Sequence, residues 1–264
     1  MKKYWIIPIL VIFFALNVCG QQDETGVFHA REFTSSGDTL RYRILYPKGY
    51  KKEQKKKYPL VIFLHGSGER GNDNQAQLTH GSALFLDKDN REKYPAIVIF
   101  PQCPNEDTWA TYSFTENSDG QKLSMPYKPE QTKAGYLVQR LVNHYLKKEP
   151  VDSKRVYIMG LSMGGMGTLD MIVRNPKTYT AAIAICGAIE PSRLKNLKKM
   201  PLRFYHGTVD PVVPVSCSRD AFYELKAAGS SLVELIEYPE IGHDSWNLAF
   251  SSGDFLAWLF SFKR

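Results

Sequence analysis

The chain has 264 residues, 43% of them hydrophobic and 23% charged, with a formal charge of +7. This is ordinary globular composition, long enough to bury a sizeable core, and it excludes a repeat or low-complexity architecture. The positive excess does not indicate nucleic acid: much of it lies in KKEQKKKYP, where neither Arg nor aromatic residues alternate with the lysines.

Lys2 and Lys3 precede an apolar stretch, residues 4–16, interrupted only by Pro8. A spanning helix needs about 20 apolar residues, so a charged start and a short apolar core read as an export signal. The stretch runs into Leu16-Asn17-Val18-Cys19-Gly20. That run resembles a bacterial lipobox, with Cys19 as the residue to be lipidated. The following QQDE resembles the acidic export signal of surface lipoproteins. The division expected is a signal segment over 1–19, a linker and N-terminal extension over 20–38, and one domain over 39–264. The expected location is the cell surface or the outer membrane through a lipid anchor, or else secretion into the periplasm or medium.

Residues 39–47 alternate in period two and predict an edge-side strand. Residues 59–66, 96–102, 155–160, 181–187 and 202–207 are short, continuously apolar runs, as strands buried on both faces require. Residues 232–239 alternate again and predict a strand near the far edge. Helical spacing marks 130–148, 163–173, 216–228 and 245–262. Strands alternating with helices predict an α/β fold, a mostly parallel central sheet with helices on both faces. The longest irregular segment is 103–129.

GLSMGG follows one of the buried runs and opens a helix. Gly160-Leu161-Ser162-Met163-Gly164 is a Gly-x-Ser-x-Gly pattern in strand–turn–helix context, the nucleophile elbow that exposes a serine above a sheet edge. Serine is a weak nucleophile without a base. Downstream, Asp210 in GTVDPVVP and His243 in EIGHDSW each fall just past a predicted strand, on the carboxyl edge where open α/β sheets place their sites. His206 falls inside a strand end and reads as structural. Oxyanion donors are expected from the backbone N–H of Met163 and of Ser67 in LHGSGERG. His65, Glu69 and Arg70 read as loop structure. Trp109 and Trp246 are the candidate substrate contacts.

Five motifs in order, LHGSGERG, PQCP with Trp109, GLSMGG, GTVDPVVP and GHDSW, resemble the bacterial predicted-peptidase branch of the α/β-hydrolases. That branch is close to phospholipase/carboxylesterase, dienelactone-hydrolase and polyhydroxybutyrate-depolymerase-like esterases. The resemblance covers about residues 25–264. It implies a serine hydrolase without cofactor, with Ser162, Asp210 and His243 as the triad. The expected activity is a serine carboxylesterase acting through an acyl-enzyme, on acetyl or feruloyl esters of polysaccharide. The alternatives are a peptidase acting on short peptides and a non-catalytic surface lipoprotein on the same scaffold. Only about 15 residues separate the runs near Cys186 and Phe204, which excludes a large lid there. No metal-ligand spacing is present, and nothing decides whether Cys103, Cys186 and Cys217 form a disulfide.

Overall fold

A computed structural model describes residues 27–264, apart from 54, 118 and 119. The leader and Cys19 lie outside the described residues. Among the described residues there are ten strands: β1 (His29–Ser35), β2 (Asp38–Leu45), β3 (Tyr58–Leu64), β4 (Ile97–Pro101), β5 (Ser113–Asn117), β6 (Gly120–Ser124), β7 (Val151–Leu161), β8 (Ala181–Ile185), β9 (Leu202–Gly207) and β10 (Val233–Tyr238). The helices are α1 (Ser82–Leu86), α2 (Lys88–Lys93), α3 (Lys133–Lys148), α4 (Met163–Arg174), α5 (Ser216–Ala227), α6 (Trp246–Ser251) and α7 (Phe255–Phe260).

Eight strands form one sheet in the order β1-β2-β4-β3-β7-β8-β9-β10. From β4 to β10 every pairing is parallel, whereas β1 and β2 are antiparallel to their neighbours. The apolar runs explain this arrangement. Every residue of β3, β4, β8 and β9 is buried, so these strands tolerate cover on both faces.

Successive side chains point to opposite faces and build two cores. On one face Leu60, Ile62, Ile158, Ala184 and Phe204 pack with Leu141 of α3, Ile172 of α4 and Leu225 of α5. On the other Val61, Phe63, Met159 and Tyr205 pack with Phe85 of α1 and with Phe255 and Leu259 of α7. Helix α3 starts where the Thr132 hydroxyl accepts from Gly135 N–H and the Asp107 carboxylate accepts from Ala134 N–H. On the first of these faces the turn after β8 is tied to α4 by buried charge. Asp170 of α4 holds Arg174 at 2.6 Å and the nearly buried Arg193 at 2.5 Å.

Three expectations change. The sheet begins ten residues before residue 39: β1 pairs along its whole length with β2, from His29 opposite Ile44 to Ser35 opposite Asp38. Its residues alternate between half-buried and exposed, so HAREFTS carries no apolar run to read. The helix expected over 245–262 is two helices, α6 and α7, because Ser252 takes an extended conformation and is followed by Gly253. The segment 103–129 is not wholly irregular but contains the β5–β6 hairpin. Cys103, Cys186 and Cys217 are free thiols.

Candidate active site

Strand β7 delivers its last residue, Leu161, to the carboxyl edge, and Met163 opens α4. Ser162 between them has φ 53° and ψ −120°, a conformation an L side chain rarely takes. The glycines around it are there because backbone fills the space. A Cβ on Gly164 would lie 2.0 Å from the carbonyl oxygen of Leu64, and one on Gly160 would lie 2.3 Å from that of Gly164. The strained turn therefore lifts Ser162 Oγ above the sheet while α4 packs directly on β3.

His243, in the loop after β10, places Nε2 2.9 Å from Ser162 Oγ and Nδ1 2.7 Å from Asp210 Oδ2. A carboxylate only accepts, so Nδ1 carries the proton and Nε2 is left to accept from the serine hydroxyl. Asp210, in the loop after β9, is itself fixed by three donors, His243 and two backbone N–H groups. Its Oδ1 accepts from Val212 N–H at 2.8 Å and Val213 N–H at 3.0 Å, and its Oδ2 also faces His206 Nε2 at 3.3 Å. Burial alone pushes this carboxyl up. The bonds from His206, His243, Val213 and Val212 outweigh it and hold Asp210 well below the usual carboxylate range.

His206 is fully buried inside the end of β9. Its Nε2–H donates to Val213 O at 2.8 Å, which leaves Nδ1 to accept from Ser218 Oγ at 2.7 Å. The ring thus closes the Asp210 loop from below, a structural role that also sets where the carboxylate sits. Cys186, which follows β8, was not anticipated at the site. It has φ 40°, and its thiol, with Asp210 and His243, presents three potential ligand atoms within 4.8 Å of one another. The set suits a metal poorly. Oδ1 already accepts two donors and Oδ2 accepts from His243, and burial raises the thiol, which disfavours the thiolate a metal needs. The Ser245 hydroxyl faces the thiol and has no other partner.

The loop after β3 begins at His65, and its turn Ser67–Glu69 is braced from the loop after β4. Gln102 donates to Glu69 O and to Asp73, and Arg70 donates to Ser67 O at 3.1 Å and Asn105 O at 3.1 Å. Gly66 lies against Leu161, where an added Cβ would meet Leu161 Cδ1 at 2.9 Å, so the residue before Ser67 touches the residue before Ser162. Met163 N–H is the first of α4 and has no acceptor within the helix.

His65 is buried, with Nδ1–H donating to Gly66 O at 2.6 Å and Nε2 accepting from Cys103 N–H at 2.9 Å. Burial depresses its pKa from 6.5 to about 4. Below pH 6.5 the unfolded chain therefore binds this proton before the folded one does. This site's stabilisation is complete above pH 6.5, and up to about 3 kcal/mol of it is lost as pH falls toward 4. Urea unfolding at about pH 7 and about pH 5 should show a smaller loss for His65→Gln than for the native chain. Equal losses would place the effect elsewhere.

Trp109 is not a substrate contact. It is fully buried, its indole N–H donates to His65 O at 3.0 Å, and its ring lies over Gly167, where an added Cβ would sit 2.4 Å from Trp109 Cβ. The segment's large aromatic thus anchors loop to helix. Closer to the site are Tyr112, Leu123 and Met125, at and beside the β5–β6 hairpin. They pack on Ala110, Met166, Ala188 and Val213, near neighbours of Trp109, Ser162, Cys186 and Asp210 in sequence. Trp246 stands edge-on to His243, ring centroids 5.5 Å apart, and beside His80 at 5.3 Å.

A parallel sheet that carries a serine on a strained strand–helix turn, with histidine and aspartate from the next loops on the same edge, has the α/β-hydrolase fold. Residues 50–254 match the phospholipase/carboxylesterase family, and the chain belongs to it.

It is 26% identical over 199 residues to carboxylesterase SOBER1 of Arabidopsis thaliana, a match over 71% of this chain and 84% of that protein. Over 100 residues it is 30% identical to feruloyl esterase B of Neurospora crassa, covering 36% of this chain and 30% of that one. A solved thermostable esterase superimposes with a TM-score of 0.80 at 34% identity, over 90% of this chain; this chain spans 63% of that structure's length. Family and relatives alike support hydrolysis of esters as the chemistry.

Proposed function

We propose that the protein is a serine carboxylesterase working through an acyl-enzyme. The observation that carries this is the continuous relay from Ser162 Oγ through His243 to Asp210, at 2.9 and 2.7 Å. In the first step His243 Nε2 takes the serine proton as Oγ attacks the ester carbonyl. Asp210 keeps the imidazole in the reactive tautomer and stabilises the imidazolium. The N–H groups of Met163 and Ser67 receive the developing oxyanion. The imidazolium returns the proton to the leaving alcohol, and water then cleaves the acyl-enzyme with the same base.

The connection from β8 to β9 holds only the short turn Pro191–Leu197, which leaves the serine turn without a helical lid on that side. Tyr112 and Met125, which pack with Met166 and Val213, are the side chains we assign to line an acyl group. An open mouth with an aromatic border suits esters presented on a polymer, and feruloyl or acetyl groups on polysaccharide are the substrates we assign. The similarity to a feruloyl esterase supports that assignment. The leader is read as an export signal ending at Cys19, which places the enzyme where such polymers are met.

Feruloylated and acetylated xylan fragments, p-nitrophenyl acetate and short peptide anilides separate the readings. Esters are expected to turn over at least about 10³-fold faster than anilides, and ferulate faster than a long-chain acyl ester. Anilide cleavage at ester-like rates would make the protein a peptidase. Absence of turnover on all of them would favour a binding role.

A further inference from the structure

The chain's positive charge is not spread evenly over the fold. Every parallel strand starts at one edge of the sheet, and the loops entering that edge are rich in lysine. Lys51, Lys52, Lys55, Lys56 and Lys57 precede β3 and are all exposed. Lys177 precedes β8, Lys198 and Lys199 precede β9, and Lys263 and Arg264 follow α7.

Contacts join these segments into one surface. Arg155 donates to Lys57 O, and Tyr58 N–H donates to Pro150 O. Arg264 donates to Ser153 O and Thr178 O at 2.8 Å each and through its own N–H to Lys154 O. Lys199, Lys263 and Arg264 line a single groove. Two acids of this edge, Glu149 and Asp152, are engaged by Lys52 and Arg155 at 2.8 Å each. The carboxyl edge has no such run of lysines: its loops carry Glu69, Glu106, Glu190, Glu240 and Asp244 together with Arg70 and Lys128.

The chain also enters the sheet at the basic edge. His29, the first residue of β1, pairs with Ile44, and Leu45 pairs with Val98 near the start of β4. His29 therefore stands on the same edge as the lysines.

We infer that this basic edge is a docking surface for anionic lipid headgroups, holding the catalytic edge away from the bilayer. Charge complementarity and the point of chain entry select a membrane over an acidic polymer. The occupant is the phosphate-bearing surface itself, which attracts clustered lysines at roughly 1 kcal/mol for each one close to it. One consequence bears on substrate. With its serine turn on the far side, the enzyme acts on esters in the medium and not on the lipids beneath it. The charge argument holds whether or not Cys19 is acylated.

The test is co-sedimentation of the full chain with phosphatidylcholine vesicles and with vesicles containing phosphatidylglycerol. The native chain is expected to favour the anionic vesicles by about tenfold or more, and to lose that preference in high salt. Lys199→Gln/Lys263→Gln should remove most of the preference, with hydrolysis of a soluble ester unchanged. The matched pair Lys128→Gln/Lys133→Gln, near the opposite edge, should keep it. Equal binding to both vesicles would overturn the inference, because the apolar leader would then do all the binding. Equal losses in the two double variants would overturn it too, as an effect of net charge alone. Tight retention on heparin without any vesicle preference would reassign the edge to an acidic polysaccharide.

Discussion

Asp210→Asn is expected to lower kcat on a small ester by about 10⁴-fold while leaving the fold intact. The reason lies in what surrounds the carboxylate. Oδ1 accepts from two backbone N–H groups and Oδ2 from His243, with His206 close by. An amide has one acceptor oxygen to offer in place of two. If that oxygen stays with Val212 and Val213, the amide NH₂ faces His243 and the imidazole must turn to the tautomer that protonates Nε2. A protonated Nε2 cannot accept from Ser162. Ester turnover measured beside circular dichroism separates this from unfolding. A variant within tenfold of the native rate would remove Asp210 from the relay.

Gly164→Ala should be the most damaging single methyl in the chain. The added carbon would lie 2.0 Å from Leu64 O and 2.7 Å from His65 O, both backbone atoms that cannot swing aside. Relief requires α4 to move off β3, which drags Ser162 out of its φ 53° turn. A loss of roughly 3 kcal/mol or more is expected, read as a fall of about 10 °C in Tm, together with loss of ester hydrolysis. Gly253→Ala is the contrast. A Cβ there meets nothing within 4 Å, and the melting temperature should stay within about 2 °C of the native one. A Gly164→Ala protein as stable and active as the native chain would show that the serine turn does not depend on this close approach.

The sheet was legible where strands are buried on both faces. β3, β4 and β8 each coincide with a continuous apolar run, because they lie between two helical layers, and β9 stays recognisable although Arg203 and His206 are buried within it. β1 was not, since an edge strand with one half-buried face needs no apolar side chains at all. The β5–β6 hairpin escaped for a related reason: it pairs only with itself. The serine, aspartate and histidine were legible because each follows a strand on one edge, and sequence alone places strand ends. Cys186 and the contact of His206 with Asp210 were not, because they arise where the ends of β8, β9 and β10 converge. Trp109 misled the reading because an aromatic in a long loop looks the same in sequence whether it faces a substrate or pins the loop to α4 through Gly167.

Ser162 as nucleophile is tested most directly by covalent labelling. A fluorophosphonate should add once to the native protein, on the peptide containing Ser162, and hydrolysis of p-nitrophenyl acetate should disappear in step with labelling. Ser162→Ala should take no label and lose about 10⁴-fold or more of the activity. Hydrolysis that persists in Ser162→Ala, or a label that settles on another residue, would contradict the account.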